Sequence, residues 1–402
     1  MKKIILKKGR ESSVERFHPW IFSGAVGKIT GNPGEGEVVS VYSHDGTLLG
    51  CGHYQIGSIA VRILSFRHEN IDASFWKERI EAACRLRRTA GLDGNNMETD
   101  CYRLIHGEGD NLPGLVVDIY RNVAVMQAHS AGMFIAREKI ATALKEVMDS
   151  EIDAIYDKSA ATAPFKAGLD LNNGYLYCRE GAGYNGETGE AIVHENGNMF
   201  HVNWIEGQKT GFFLDQRDNR ELVKKYSRGK RVLNLFCYTG GFSVYALNGG
   251  AASVDSVDSS AKAIELTERN IALNGFGEKV HNSFCCDAID YLHKSEKGRY
   301  DLIVVDPPAF AKHRDAINNA LRAYKRLNAA AIEKVAPGGI IFTYSCSQAI
   351  DRQNFALAVF SAAAIAGRRV KIIHRLTQPA DHPVNIYHPE GEYLKGLALY
   401  VE

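Results

Sequence analysis

A surplus of charge of either sign is what this sequence lacks. Its 48 basic and 47 acidic side chains over 402 residues leave a formal net charge of +1. That excludes a uniformly basic chain that holds nucleic acid by electrostatics alone, although a locally basic face stays open. Long apolar runs are missing too. The Ile4-Ile5-Leu6 run is far short of the roughly 7–15 apolar residues of an export signal. The longest apolar stretch, around Ala356 to Gly367, falls below the ~18 residues of a membrane span. The eight cysteines include no CxxC pair and no regular spacing. Reduced thiols in a cytoplasmic protein, with no membrane partner, are therefore expected. No metal site is expected either. The adjacent Cys285-Cys286 lacks a second pair of ligands, and His382 and His388 lack a third and read as turn-stabilising residues. The loop from Phe236 to Phe242, which follows the first strand of the carboxyl-terminal region, lacks a GxGxxG fingerprint, and this counts against a nicotinamide oxidoreductase.

What is present is ordinary for a packed protein, with 45% hydrophobic and 24% charged residues, so disorder is excluded as the main state. The length suggests two or three domains at ~100–200 residues each. From Ile4 to Ser65 the chain is strand-like and punctuated by turns, including Gly31-Asn32-Pro33-Gly34 and Asp45-Gly46. This pattern predicts a small β-barrel over residues 1–70. A helix from Ala73 to Thr89 follows, capped by Asp72 and carrying Lys77, Arg79, Arg85, Arg87 and Arg88. Strands and turns from Tyr102 to Ser130, a helix from Met133 to Met148 and a strand at Ala154–Tyr156 complete a central α/β domain over residues 71–188. Gly181–Gly189 reads as a linker, and Asn196-Gly197 marks a hairpin.

Beyond Gln216 the rhythm becomes strand–loop–helix. Strands are predicted at Arg231–Phe236, Ser253–Val257, Leu302–Val305 and Gly339–Tyr344, with helices at Ala261–Asn274, Ala316–Val335 and Gln353–Ala366. Such alternation predicts a doubly wound, Rossmann-like α/β domain over residues 189–402. In such sheets ligands lie beyond the carboxyl ends of the strands. The loops there are Phe236-Cys237-Tyr238-Thr239-Gly240-Gly241, then Val257-Asp258-Ser259, Cys286-Asp287-Ala288 and Asp306-Pro307-Pro308. Glycines in the first allow a ligand close to the backbone. An acid such as Asp258 suits a ribose diol, while a lone acid at a strand end is often only a helix cap.

With Val232 to Phe242 and these loops, the sequence resembles the class I S-adenosylmethionine-dependent methyltransferases. It departs from their usual pattern at Asn234, where an acid is more common. The resemblance implies S-adenosylmethionine as cofactor. Asn234, Phe236, Tyr238 and Gly240 would line the first loop, Asp258 and Ser259 would hold the ribose, Asp287 and Ala288 would meet the adenine, and Asp306 would face cofactor and substrate. Cys346, in Tyr344-Ser345-Cys346-Ser347, follows the next long strand and should emerge on the same sheet edge as Asp306. A thiolate there can add to carbon 6 of a pyrimidine and so activate carbon 5 toward methylation, with Asp306 hydrogen-bonded to ring nitrogen 3. The alternative for Cys346 is a buried, inert thiol, and packing also explains Cys237, Cys285 and Cys286.

The whole chain resembles the ribosomal RNA cytosine-5 methyltransferases that carry an N-terminal PUA domain. The matching segments include His18-Pro19-Trp20-Ile21-Phe22-Ser23-Gly24, Gly107 to Asp118, Lys209 to Arg217, Asp381-His382-Pro383 and Glu390 to Gly396. It implies an RNA-binding PUA-like barrel, Phe213 and Gln216 as cofactor neighbours, large-subunit ribosomal RNA as partner, and a homodimer. Basic clusters at Lys2, Lys3, Lys7, Lys8, Arg10 and Arg16, and at Arg368, Arg369, Lys371 and Arg375, agree with an RNA partner, although such runs are commonly just solvated faces. Methylation of a base nitrogen, with Phe310 stacking on a flipped base, methylation of uracil, and a non-catalytic RNA-binding assembly factor are the competing readings.

Overall fold

Burial in alternate residues organises the amino-terminal segment, as expected for strands with one solvated face. Ile4 and Leu6 turn inward from Lys3–Leu6 (β1). A short helix, Ser12–Glu15 (α1), adds Val14 to the same core. With Trp20–Phe22 (β2), Val26–Thr30 (β3), Val38–Tyr42 (β4), Leu48–Tyr54 (β5) and Ile59–Ser65 (β6), β1 forms a six-stranded sheet ordered β2-β6-β5-β4-β1-β3. Bulges at Ile5/Leu6, Val41/Tyr42 and Cys51/Gly52 interrupt its registers, and bulges of this kind bend and twist a sheet.

The computed structural model describes residues 2–92, 98–164, 168–184, 189–277, 280–310 and 316–402. Part of the expected linker, 185–188, lies outside them. These residues divide into two compact units. The first comprises Met1–Val193, Val202–Leu214 and Ala380–Gly391. The second comprises His194–His201, Asp215–Pro379 and Glu392–Glu402.

In the first unit, Ala73–Thr89 (α2) begins at Asp72, whose carboxylate accepts from the N–H groups of Ser74 and Phe75. Its inner stripe is Phe75, Trp76, Ile80, Ala83 and Cys84. Of the basic residues on this helix, Arg87 points inward. It is 1% exposed and binds Asp110 through both terminal nitrogens at 2.5 and 2.7 Å, because a guanidinium can be buried only when paired. Cys101–His106 (β7), Leu115–Tyr120 (β8), Val123–Ala128 (β9), Ala154–Asp157 (β10) and Gly174–Cys178 (β11) make a second sheet ordered β11-β10-β9-β8-β7. Between β9 and β10 the single expected helix is two, Ala131–Ile135 (α3) and Arg137–Val147 (α4), and Ser130 caps the first. Glu190–Glu195 (β12) and Asn198–Asn203 (β13) form the predicted hairpin. Asn196 and Gly197 both have positive φ, at 49° and 75°, as a type I′ turn demands.

The second unit holds Arg217–Tyr226 (α5), Arg231–Leu235 (β14), Gly241–Asn248 (α6), Ser253–Asp258 (β15), Ala261–Leu273 (α7), His281–Cys285 (β16), Ala288–Lys294 (α8), Tyr300–Val305 (β17), Ile317–Lys334 (α9), Val335–Ser345 (β18), Arg352–Ala366 (α10), Val370–Leu376 (β19) and Lys395–Val401 (β20). Seven strands run in the order β16-β15-β14-β17-β18-β20-β19. The four predicted strands are present, and β16, β19 and β20 join them. β14 to β18 pair in parallel, whereas β20 is antiparallel to both its neighbours. Leu233, Leu235, Ile303, Val305 and Ile341 fill the core with Tyr324 and Phe355 from the helices. Strand order reverses between β14 and β17, the switch point where such sheets open a crevice for ligands.

Candidate active site

The loop after β14 is built from strained backbone. Phe236 and Tyr238 adopt φ of 59° and 48°, and Gly240 has φ of 73°. Non-glycine residues occupy this region at a cost and persist only where neighbours hold them. The holding groups are visible. Asp258, at the end of β15, accepts from the Tyr238 N–H at 3.0 Å and the Ser260 N–H at 2.9 Å. From α7, Thr267 donates to the Tyr238 carbonyl at 2.9 Å and Asn270 to the Thr239 carbonyl at 2.8 Å. A Cβ on Gly240 would stand 2.7 Å from a Thr267 methyl. The loop therefore presents a preset backbone at the start of α6.

Beneath it, Arg220 of α5 is buried and paired with Glu195 at 2.8 and 2.7 Å, while the Tyr245 hydroxyl donates to the same carboxylate at 2.9 Å. Asn234 lies deeper than expected for a ligand-facing residue. At 1% exposure, it donates to Ser243 at 2.8 Å, and its carbonyl oxygen has no protein partner. Asp287 acts as the cap of α8, accepting from Ile289 and Asp290 at 2.8 and 3.0 Å. Ala288 is buried behind it, and Ser259 is exposed, its carbonyl facing the Cys285 thiol at 3.6 Å.

At the neighbouring strand ends, Asp306 follows β17 and accepts from the Gln216 side-chain amide at 3.0 Å. The Gln216 carbonyl oxygen in turn accepts from Asn219 at 2.6 Å, which fixes the amide's orientation. The parallel register sets Val305 opposite Thr343, so Asp306 and Cys346 leave the same edge of the sheet. Cys346 is half-buried. Ser345 pairs with Lys395 across β18 and β20. The ammonium of Lys395, only 3% exposed, donates to the carbonyls of Ser347 and Tyr393 at 2.6 and 2.7 Å. Burial pushes Lys395 down to about 8, and the negative charge available to Cys346 pulls it back up. Tyr344 adds a buried hydroxyl without a protein partner, its ring stacked on Phe242 at 5.5 Å, and the charge of Asp306 and burial both hold its proton on. The half-buried Phe310 ring packs at a tilt on Tyr324 at 4.8 Å. Cys237, buried against Thr267, is pushed up to about 12, which makes it a poor nucleophile.

The second unit thus gathers Gln216, Asn234, Phe236, Tyr238, Gly240, Asp258, Ser259, Asp287, Ala288, Asp306 and Cys346 on loops at one sheet edge or just beneath them. Phe213 belongs to the first unit, where Lys209 lies over its ring at 4.3 Å. Lys395, Tyr344 and the Arg220–Glu195 pair escaped the sequence reading. Lys395 sits on an antiparallel strand that local rhythm did not disclose.

The S-adenosylmethionine-dependent methyltransferase family matches residues 157–391, more than half of the chain. The chain belongs to that family. A PUA-like domain matches residues 4–66, the six-stranded sheet. Among relatives, a protein of Shewanella amazonensis named ribosomal RNA large subunit methyltransferase I is 41% identical, with 99% of each chain covered. Its namesake from Aeromonas hydrophila is 40% identical over 98% of each. In fold, the chain is similar to SMU.776 complexed with SAH, with a TM-score of 0.84 and 23% identity over 100% of both chains. A structure described as a SAM-dependent methyltransferase from Streptococcus mutans gives 0.83 at 23% identity, also over 100% of both.

S-Adenosylmethionine is the cofactor of this methyltransferase, and the residues present fit it. The preset loop from Phe236 to Gly240 would allow a close backbone approach, the Asp258 carboxylate would offer an acceptor to a diol, and the Tyr344 hydroxyl has no protein partner.

Proposed function

We propose that the protein methylates carbon 5 of a cytosine in large-subunit ribosomal RNA through a covalent adduct on Cys346. The names of its relatives support the RNA substrate, and the observation that carries the mechanism is the Cys346 thiol beside the buried Lys395 on the sheet edge that also bears Asp306. S-Adenosylmethionine supplies an electrophilic methyl group held on a sulfonium. With substrate bound and Asp306 in its protonated form, the Cys346 thiolate would form a bond to carbon 6, and electrons would move to ring nitrogen 3, which would take the Asp306 proton. Carbon 5, now an enamine carbon, would take the methyl group as its bond to the cofactor sulfur breaks and leaves a neutral thioether, and nitrogen 3 would return its proton to the Asp306 carboxylate. Removal of the carbon 5 proton restores the ring double bond and expels the thiolate. Gln216 orients Asp306 for its part, and Asp258 would hold the ribose of the cofactor.

In this reading residues 1–70 dock RNA, residues 71–188 form a central domain, and residues 189–402 carry the chemistry in the cytoplasm. Exposed Phe22 and Tyr387 on the first unit offer stacking faces of the kind single-stranded RNA uses. Exposed Leu357 and Phe360 on α10 suit a homodimer contact, which light scattering on the eluted protein tests. Among the described residues no helix is long and apolar enough to cross a membrane.

The test is methylation of deproteinised ribosomal RNA with labelled cofactor, followed by nucleoside mass spectrometry. The wild type should yield 5-methylcytosine, and Cys346→Ala should lower turnover by about 10³-fold or more while still binding cofactor. Retained turnover in Cys346→Ala would sink the covalent route. A methyl group found on a base nitrogen would establish the competing chemistry.

A further inference from the structure

Glu390 follows His388 by two residues in the sequence, and the fold brings a second imidazole to the pair. Within the first unit His18, in the turn before β2, meets His388 and Glu390. The Glu390 carboxylate lies 3.5 Å from His18 Nε2 and 3.8 Å from His388 Nε2, and the three ligand atoms all fall within 4.8 Å of one another. His388 is 3% exposed, and neither of its ring nitrogens has a hydrogen-bond partner. A buried imidazole left in this state is costly and asks for a partner. Its ring packs on Trp20 with centroids 4.3 Å apart, which sets its orientation.

We propose that His18, His388 and Glu390 bind a divalent transition metal of the zinc class. Tetrahedral zinc has bonds of about 2.0–2.1 Å to nitrogen and oxygen, so its ligand atoms stand about 3.3 Å apart. The two carboxylate–imidazole spacings need only a few tenths of an ångström of closure, and Glu390, half-exposed, has the freedom to provide it. The outer nitrogen of His18 is already arranged for this role. Its Nδ1 faces both the N–H and the carbonyl of Trp20, at 3.1 and 3.3 Å. With Nε2 on a metal, the Nδ1 proton is donated to that carbonyl, the usual support for a ligating histidine. Two imidazoles and a carboxylate leave a fourth position for water on the solvent side. The site pins the 380–391 segment to β2, and the adjacent Glu108, which accepts from the Trp20 indole at 2.8 Å, adds negative charge.

A hydrogen bond from His18 to Glu390 alone is the competing explanation, and it leaves His388 without a role. The full-length protein, stripped with chelator, is titrated with Zn²⁺ by calorimetry and with Co²⁺ by visible absorption. One equivalent should bind, with a four-coordinate cobalt spectrum free of thiolate charge transfer. Glu390→Gln and His388→Asn should each weaken binding by at least about 100-fold, above the loss typical of removing only an outer partner. Zinc should raise the melting temperature of the wild type but not that of Glu390→Gln, whose exposed position leaves folding intact if His388→Asn does not fold. Binding unchanged in Glu390→Gln, a thiolate band from the cysteines, or no stoichiometric binding overturns the proposal.

Discussion

Lys395 carries its charge in a place where charge is expensive, and the expense buys something only if an anion forms beside it. Buried between the Ser347 and Tyr393 carbonyls, it titrates at about 8. Below that pH it is an ammonium and favours the Cys346 thiolate. Lys395→Met should move the acid limb of the pH–rate profile upward and lower the rate near neutrality by about tenfold per unit moved. A purely structural role would instead orphan two carbonyls at roughly 1–3 kcal/mol each, and the rate would fall equally at all pH values. The strand ends at which Asp306 and Cys346 stand were legible in the sequence because each closes a recognisable buried strand. Lys395 was not, since its partner across the sheet lies far away in the chain.

At the scale of elements, the strand-end loops were readable because each is a local event, a strand closed by glycine, acid or proline. Gly240 shows how much hangs on one of them. With φ of 73° and Thr267 beside the missing side chain, Gly240→Ala should cost about 1–2 kcal/mol for the left-handed backbone alone. It should also weaken cofactor binding, both measured on one sample by denaturation and calorimetry. The hairpin of β12 and β13 was equally plain from Asn196-Gly197, but the ion pair that Glu195 makes was not. Glu195 enters as the counter-ion of Arg220, both fully or nearly buried. Glu195→Ala leaves that guanidinium unpaired and should destabilise the second unit by about 3–5 kcal/mol, read as a lowered denaturant midpoint. The antiparallel β20 escaped the sequence reading because strand pairing order is set by packing that no local pattern encodes.

For the whole molecule, near-neutral charge hides opposite local choices, and acid exposes one of them. His53 is buried against Trp76 and pushed down to about 4 from 6.5. Above pH 6.5 neither the folded nor the unfolded chain protonates it, so it contributes no pH dependence there. As pH falls from 6.5 toward 4 the unfolded chain takes up a proton that the folded chain refuses, and about 3 kcal/mol of stability is lost. Denaturant titrations at pH 7 and near pH 4 should show this loss, and His53→Leu should flatten it. Composition and local pattern by themselves determined a packed chain with a doubly wound carboxyl-terminal fold, the strand-end loops and Cys346, because hydrophobic period and turn chemistry act over a few residues. Only the tertiary structure decided that Arg87 is an internal ion pair, that Lys395 donates to the Ser347 carbonyl, and that His18 stands beside His388 and Glu390. Those pairings join distant parts of the chain, and burial, which makes a charge or an imidazole need its partner, exists only once the chain has folded.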